Sequence, residues 1–135
     1  MPVSLSEANQ LITVSHHEAR KIGIAITVVI VDEGGHVQAA GRMEGAFPLS
    51  FKIAQAKAVG AAMWHRDGDV MKAVHADRPG FFGAVDRLSE LPLMPGPGSL
   101  VLRRDGAVLG AIGISGATGE QDLECATAAV HAVFD

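Results

Sequence analysis

Tyrosine is absent from this 135-residue sequence, and tryptophan and cysteine occur once each. A lone thiol, Cys125, excludes an internal disulfide framework and any Cys-x-x-Cys motif. Basic runs are missing too: eleven Lys and Arg are scattered among fifteen Asp and Glu, for a formal charge of −4. Nucleic-acid binding needs a concentrated cationic surface to displace the counterions of phosphates, so nucleic acid is excluded as a partner. The longest apolar stretch, Ile22 to Val31, is interrupted by Gly23 and Thr27 and falls far short of the ~20 residues of a membrane span. The opening Met1-Pro2-Val3-Ser4 carries neither a basic nor an apolar signal region. With the single cysteine, this points to a cytoplasmic protein without a membrane partner.

What is abundant is small and apolar. Hydrophobic residues make up 48% of the chain, with 16 Gly. Such a composition predicts one folded domain over residues 1–135, with closely approaching backbones and burial completed across a subunit interface.

Periodicity orders the elements. Ser4 and Glu7 form a capping box, and Ala8, Leu11, Ile12, Ser15, Ala19 and Ile22 recur at helical spacing up to a stop at Gly23. Residues 24–31 are β-branched and read as a central strand, turning at Asp32-Glu33-Gly34-Gly35 into a second strand over 36–42. An alanine-rich helix follows from Leu49 to about His65, then a shorter one from an Asp67 cap to about Ala76. Residues 79–98 contain four prolines and read as a long irregular segment with a short helical turn near Val85–Leu88. Asp105-Gly106 then marks a tight hairpin between strands 100–104 and 107–115. Thr118 and Gln121 form a second capping box, opening a final helix to about Val133. Two hairpins with helices to cover them imply a mainly antiparallel α/β (α+β) fold.

The chemistry-bearing residues form no complete catalytic constellation. None of the six histidines stands at zinc-ligand spacing. At ~100° per residue, His16 lies on the flank of the first helix's buried stripe and His17 points away from it. Ser115 sits in Gly-Ile-Ser-Gly but lacks the outer glycine of a nucleophile elbow, since position 117 is Ala. Ser115, Gly116 and the residues to Gly119 run into a helix N-terminus, where free N–H groups favour an anion or simply make the turn. Arg42 and Lys57 fall on elements expected to be half buried; each suits a ligand carboxylate or a structural salt bridge. Asp32, His75 and Asp122 are the candidates for acid–base work.

Three segments together resemble one family. Residues 29–46, VIVDEGGHVQAAGRMEGA, are similar to the VVDxGGxxxAxxRMDGA segment of the GlcG/HbpS family. Residues 52–62 resemble its A..KA..A helix, and GAIGISGA over 110–117 followed by Gln121-Asp122 resembles its GAIGVSGxxxxQD signature. The resemblance implies a profilin-like α/β/α domain with a five-stranded sheet. It also implies a homo-oligomer, commonly a dimer building to a tetramer or octamer. Relatives include a haem-binding sensor component and the C-terminal domain of PduO-type corrinoid adenosyltransferases, and others are encoded among catabolic genes. Haem is therefore the implied cofactor, with His16 or His17 as axial ligand. Before its last hairpin the chain departs from the family pattern, with Gly96-Pro97-Gly98 and Phe81-Phe82-Gly83 in place of Gly-Gly-x-Pro and Tyr features.

Two functions are then in play. One is a small-ligand-binding protein for haem or a related tetrapyrrole. The other is an enzyme or binding protein of a catabolic pathway, holding an anionic substrate on Arg42 and Lys57 beneath a lid formed by 79–98. A purely structural oligomer subunit is the third reading.

Overall fold

The computed structural model describes residues 1–135 as five helices and a four-stranded antiparallel sheet. In chain order these are α1 (Leu5–Lys21), β1 (Thr27–Asp32), β2 (Val37–Arg42), α2 (Ser50–Trp64), α3 (Gly68–Asp77), α4 (Pro79–Asp86), β3 (Ser99–Arg104), β4 (Ala107–Ser115) and α5 (Gly119–Phe134). The sheet order is β2-β1-β4-β3, so the two hairpins meet through β1 and β4.

Each face of the sheet has its own core. Val28, Ile30, Leu102, Ile112 and Ile114 bury against α1 and α5. On the other face Val29, Val31, Val101 and Ala111 bury against the alanines of α2. Strand side chains alternate between faces, so β1, covered on both, is buried without a break from Thr27 to Val31 and apolar from Val28 to Val31. Gly113 sets the spacing of α2: a Cβ there would come within 2.2 Å of the Ala54 carbonyl oxygen. Both capping boxes form, at Ser4/Glu7 and Thr118/Gln121, and each is worth about 1 kcal/mol to its helix.

Four expectations need correction. The sheet has four strands, not five. The segment before β3 carries Pro92, Pro95 and Pro97, which lack the N–H a ladder requires, and it crosses α2 instead, with Met94 N–H donating to the Ala56 carbonyl. The first strand begins at Thr27 rather than 24, because the Ile24 N–H is still engaged by the Ala19 carbonyl in closing α1. Residues 79–86 are a helix rather than part of an irregular segment. Pro79 stands at its first position, where a missing N–H costs nothing, and buried Phe82 packs on Trp64 and His75. Finally, Asp67 occupies the cap position of α3 without capping it; its Oδ1 accepts from Val101 N–H at 2.9 Å and ties the helix to β3.

Candidate functional site

The structure separates the sequence candidates into two groups, one that closes the fold and one that faces solvent. Lys57 and Asp122 belong to the first. Lys57 Nζ donates to Asp122 Oδ2 at 3.1 Å and to the Ile114 carbonyl at 2.9 Å, and both side chains are buried. Burial pushes the Asp122 carboxyl above its ordinary value, opposed by the Lys57 ammonium and by the N–H of Ala117. Ser115 is buried at the end of β4, and Gly116 follows with φ 138°, where a Cβ would meet the Ala25 carbonyl at 2.5 Å. In the next turn Ala117 N–H donates to Asp122 Oδ1 and Thr118 N–H to Gln121 Oε1. Two of the N–H groups available to an anion there are thus engaged internally, and Lys57 has its partners already.

Asp32 serves the β1–β2 turn, its Oδ1 accepting from Gly34 N–H at 2.9 Å and His36 N–H at 3.0 Å. His75 is engaged at both ring nitrogens, Nδ1 with the Met71 carbonyl at 2.8 Å and Nε2 with Asp86 Oδ2 at 2.6 Å. Both contacts are short and tie the ring to α3 and α4 at once. Trp64 Nε1–H donates to the other oxygen of Asp86 at 2.7 Å, joining α2, α3 and α4. Asp86 escaped sequence reasoning because it lies in the segment read as irregular. Asp86→Ala, leaving both donors half-buried without a partner, is expected to cost about 2 kcal/mol in urea unfolding; a change under about 0.5 kcal/mol would mean that water replaces the carboxylate.

The solvent-facing group lies where α1 meets the end of β2. His16, Arg20, Arg42, Met43 and Glu44 line an open depression of about 460 Å³. His16 is half-buried, and its Nε2 lies 3.0 Å from the Gly41 carbonyl, which makes Nε2 the protonated nitrogen and leaves the Nδ1 lone pair. Gly41 provides the room: a Cβ there would stand 3.0 Å from His16 Cε1 and 2.9 Å from Ile12 Cγ2. Burial lowers the His16 imidazole below its ordinary value; the Gly41 hydrogen bond opposes this and the Arg20 guanidinium reinforces it. Arg42 is exposed, one guanidinium N–H bonded to the Ala46 carbonyl at 2.9 Å. His17 is exposed on α1 and does not line this depression. Arg42 and Lys57 share no cavity, and Arg20 replaces Lys57 as the second cation beside Arg42. Arg20 had a sequence signal: it stands one helical turn after His16.

The family model described as "Haem degrading protein HbpS-like" matches residues 3–131. The chain belongs to the HbpS-like family. Among its relatives is protein GlcG of Escherichia coli strain K12, 33% identical over 115 residues, 84% of this chain and 81% of that one. The corrinoid adenosyltransferase PduO of Salmonella typhimurium is 30% identical over 134 residues, 98% of this chain; the chain spans about 40% of that enzyme's length. A crystal structure of a PduOC:heme complex superposes with a TM-score of 0.88 at 28% identity, covering 99% of this chain and 96% of that one. Membership in the HbpS-like family accounts for the two signature hairpins. It also directs attention to the one depression that pairs an imidazole with cations.

Proposed function

We propose that this protein binds haem or a related tetrapyrrole at the His16 depression, and that a second copy of the chain covers the rest of the macrocycle. The observation that carries this reading is a single one: a half-buried imidazole flanked by two guanidinium groups, Arg20 and Arg42, in one solvent-open depression. These residues fit the group's chemistry. A neutral imidazole offers iron a nitrogen lone pair, and guanidinium groups bind carboxylates such as propionates through paired N–H donors. Of the five lining residues only Met43 is apolar, so one chain covers little of a flat apolar ring, and a homo-oligomer, such as a dimer within a tetramer or octamer, supplies the remainder. No helix is long and apolar enough to cross a membrane. The buried free thiol of Cys125, pushed up to about 11 by burial, suits a reducing cytoplasm.

The test is a haemin titration followed at the Soret band, with sedimentation on the same samples. His16→Ala is expected to weaken binding by an order of magnitude or more, while His17→Ala leaves it unchanged. A His17→Ala loss with His16→Ala intact would move the ligand to the outer face of α1. A carboxylate ligand without a ring is the second reading, favoured by the same two arginines. It predicts thermal stabilisation by small carboxylic acids that disappears in an Arg20→Ala/Arg42→Ala variant, with no Soret band.

The direction of the His16 shift adds a pH prediction. The folded imidazole holds its proton less tightly than the unfolded one, whose value is about 6.5. The unfolded state therefore binds more protons in the window below that value. This group's share of stability is intact above it and declines as pH falls through the window. Haemin affinity is expected to hold between pH 8 and about 6.5 and to fall below the lowered folded value; a loss that begins above pH 7 contradicts the assignment.

A further inference from the structure

The opposite face of the sheet carries a second concavity whose charge is the reverse of the first. A cleft of about 610 Å³ opens between the β1–β2 turn, the C-terminal end of α2 and the chain following α4. Its walls are Met63, Trp64, Val85, Leu88, Leu91 and Leu93. Leu88 stands 81% exposed at its rim and extends the apolar wall to the mouth of the cleft. The polar groups at its edge are His36, Asp86, Ser89 and Glu90, and no Lys or Arg lines it. Asp86 is held by Trp64 and His75, and His36 sits 3.3 Å from the Asp32 carboxylate. Ser89 is turned inward, its hydroxyl donating to the Leu91 carbonyl. Glu90 alone is exposed and belongs to none of the chain's ion pairs.

We infer that this cleft is a binding site for a small organic cation: an apolar body seated on Trp64, Met63 and Leu91, with its ammonium group on Glu90. The apolar walls supply affinity without preference of charge. The sign of the head group is chosen by the rim, where a free carboxylate attracts an ammonium and repels a carboxylate. Trp64 can contribute further, because an indole face attracts a cation. The Trp64 wall is fixed: Nε1–H is bonded to Asp86 and the ring packs on Phe82 at 4.9 Å with a 57° tilt, so the indole is held in place before a ligand arrives. An anionic ligand is directed to the other face by the same logic, where Arg20 and Arg42 stand. The two concavities thus sort ligands by charge, one behind α1 and one beside α2.

The chain reports on this site by itself. Trp64 is its one tryptophan and there is no tyrosine, so intrinsic emission comes from the cleft wall alone. The experiment is an emission titration of the intact protein with hexylamine and, separately, with hexanoate, which share an apolar body and differ in charge. A saturable shift with hexylamine and none with hexanoate is expected. Glu90→Gln should weaken the amine about threefold, as for an exposed charge pair, and Glu90→Lys should reverse the preference toward hexanoate. Both variants change an exposed side chain and leave the fold intact. Equal responses to the two probes, an amine affinity unchanged in Glu90→Gln, or no saturable response to hexylamine would each overturn the inference. So would an emission that changes on dilution but not with amine, which would identify a second copy of the chain as the occupant.

Discussion

Lys57→Met is expected to cost about 3–5 kcal/mol of stability, a large share of the ~5–15 kcal/mol that holds a domain of this kind together. The side chains of Lys57 and Asp122 are only 10% and 2% exposed. They join α2 and α5, which lie on opposite faces of the sheet, around the end of β4. Gly98 leaves the space for them, since a Cβ there would stand 3.0 Å from Lys57 Nζ and 3.0 Å from Asp122 Cβ. Removing the ammonium alone leaves a buried carboxylate with no opposite charge and only the Ala117 N–H as partner. The double variant Lys57→Met/Asp122→Asn removes both charges and keeps an acceptor for Ala117 N–H, so at least half of the loss should return.

The pH dependence of the single variant identifies the cause. Burial already raises the Asp122 carboxyl, and loss of Lys57 removes what opposes it. An acid whose folded value is raised contributes its stability below the unfolded value, about 4, and loses it as pH rises through the folded value. Lys57→Met should therefore be relatively more stable in mild acid than at neutral pH when compared with the parent by urea unfolding. Equal losses in the single and double variants would assign the effect to lost packing of the lysine stem rather than to a stranded charge.

Gly113→Ala is the second large effect, expected at about 3 kcal/mol or more in the same assay. The added methyl would lie 2.2 Å from the Ala54 carbonyl oxygen, 2.7 Å from Ala58 N and 2.9 Å from Ala58 Cβ. All three belong to α2 at its closest approach to β4, and a backbone cannot rotate aside as a side chain would. Relief requires lifting α2 from the sheet and opening the alanine-lined core beneath it. Gly83→Ala is the control: nothing lies within 4 Å of its added Cβ, and the position is inside α4, so it should be neutral or slightly stabilising. Similar losses at 83 and 113 would mean that glycine is needed at 113 for a reason other than the approach of α2.

Much of the architecture was legible because its signals are local. Capping boxes, an Asp-Gly turn and β-branched runs act over a few residues, and α1, both hairpins and α5 stand close to where those signals place them. The helix at 79–86 was not legible: Gly80 and Gly83 weaken its own propensity, and the packing of Phe82 against Trp64 and His75 stabilises it from a distance in sequence. Of the candidate site residues, His16 and Arg42 lie together in one depression, whereas Lys57, Asp122 and His75 are engaged in tying elements to one another. Residue type alone could not separate these roles, since a buried ammonium and a ligand-binding one are the same lysine on the page.

By itself, then, the sequence determined the family and the order of the elements other than α4, because each of these is carried by neighbours in the chain. Only the tertiary structure decided which charges face one another. Arg20 joins Arg42 beside His16 because α1 lies along the end of β2, and Asp86 joins His75 and Trp64 because three helices converge. Such pairings depend on the spacing and registry of packed layers, and close packing sets these through contacts between residues far apart in sequence.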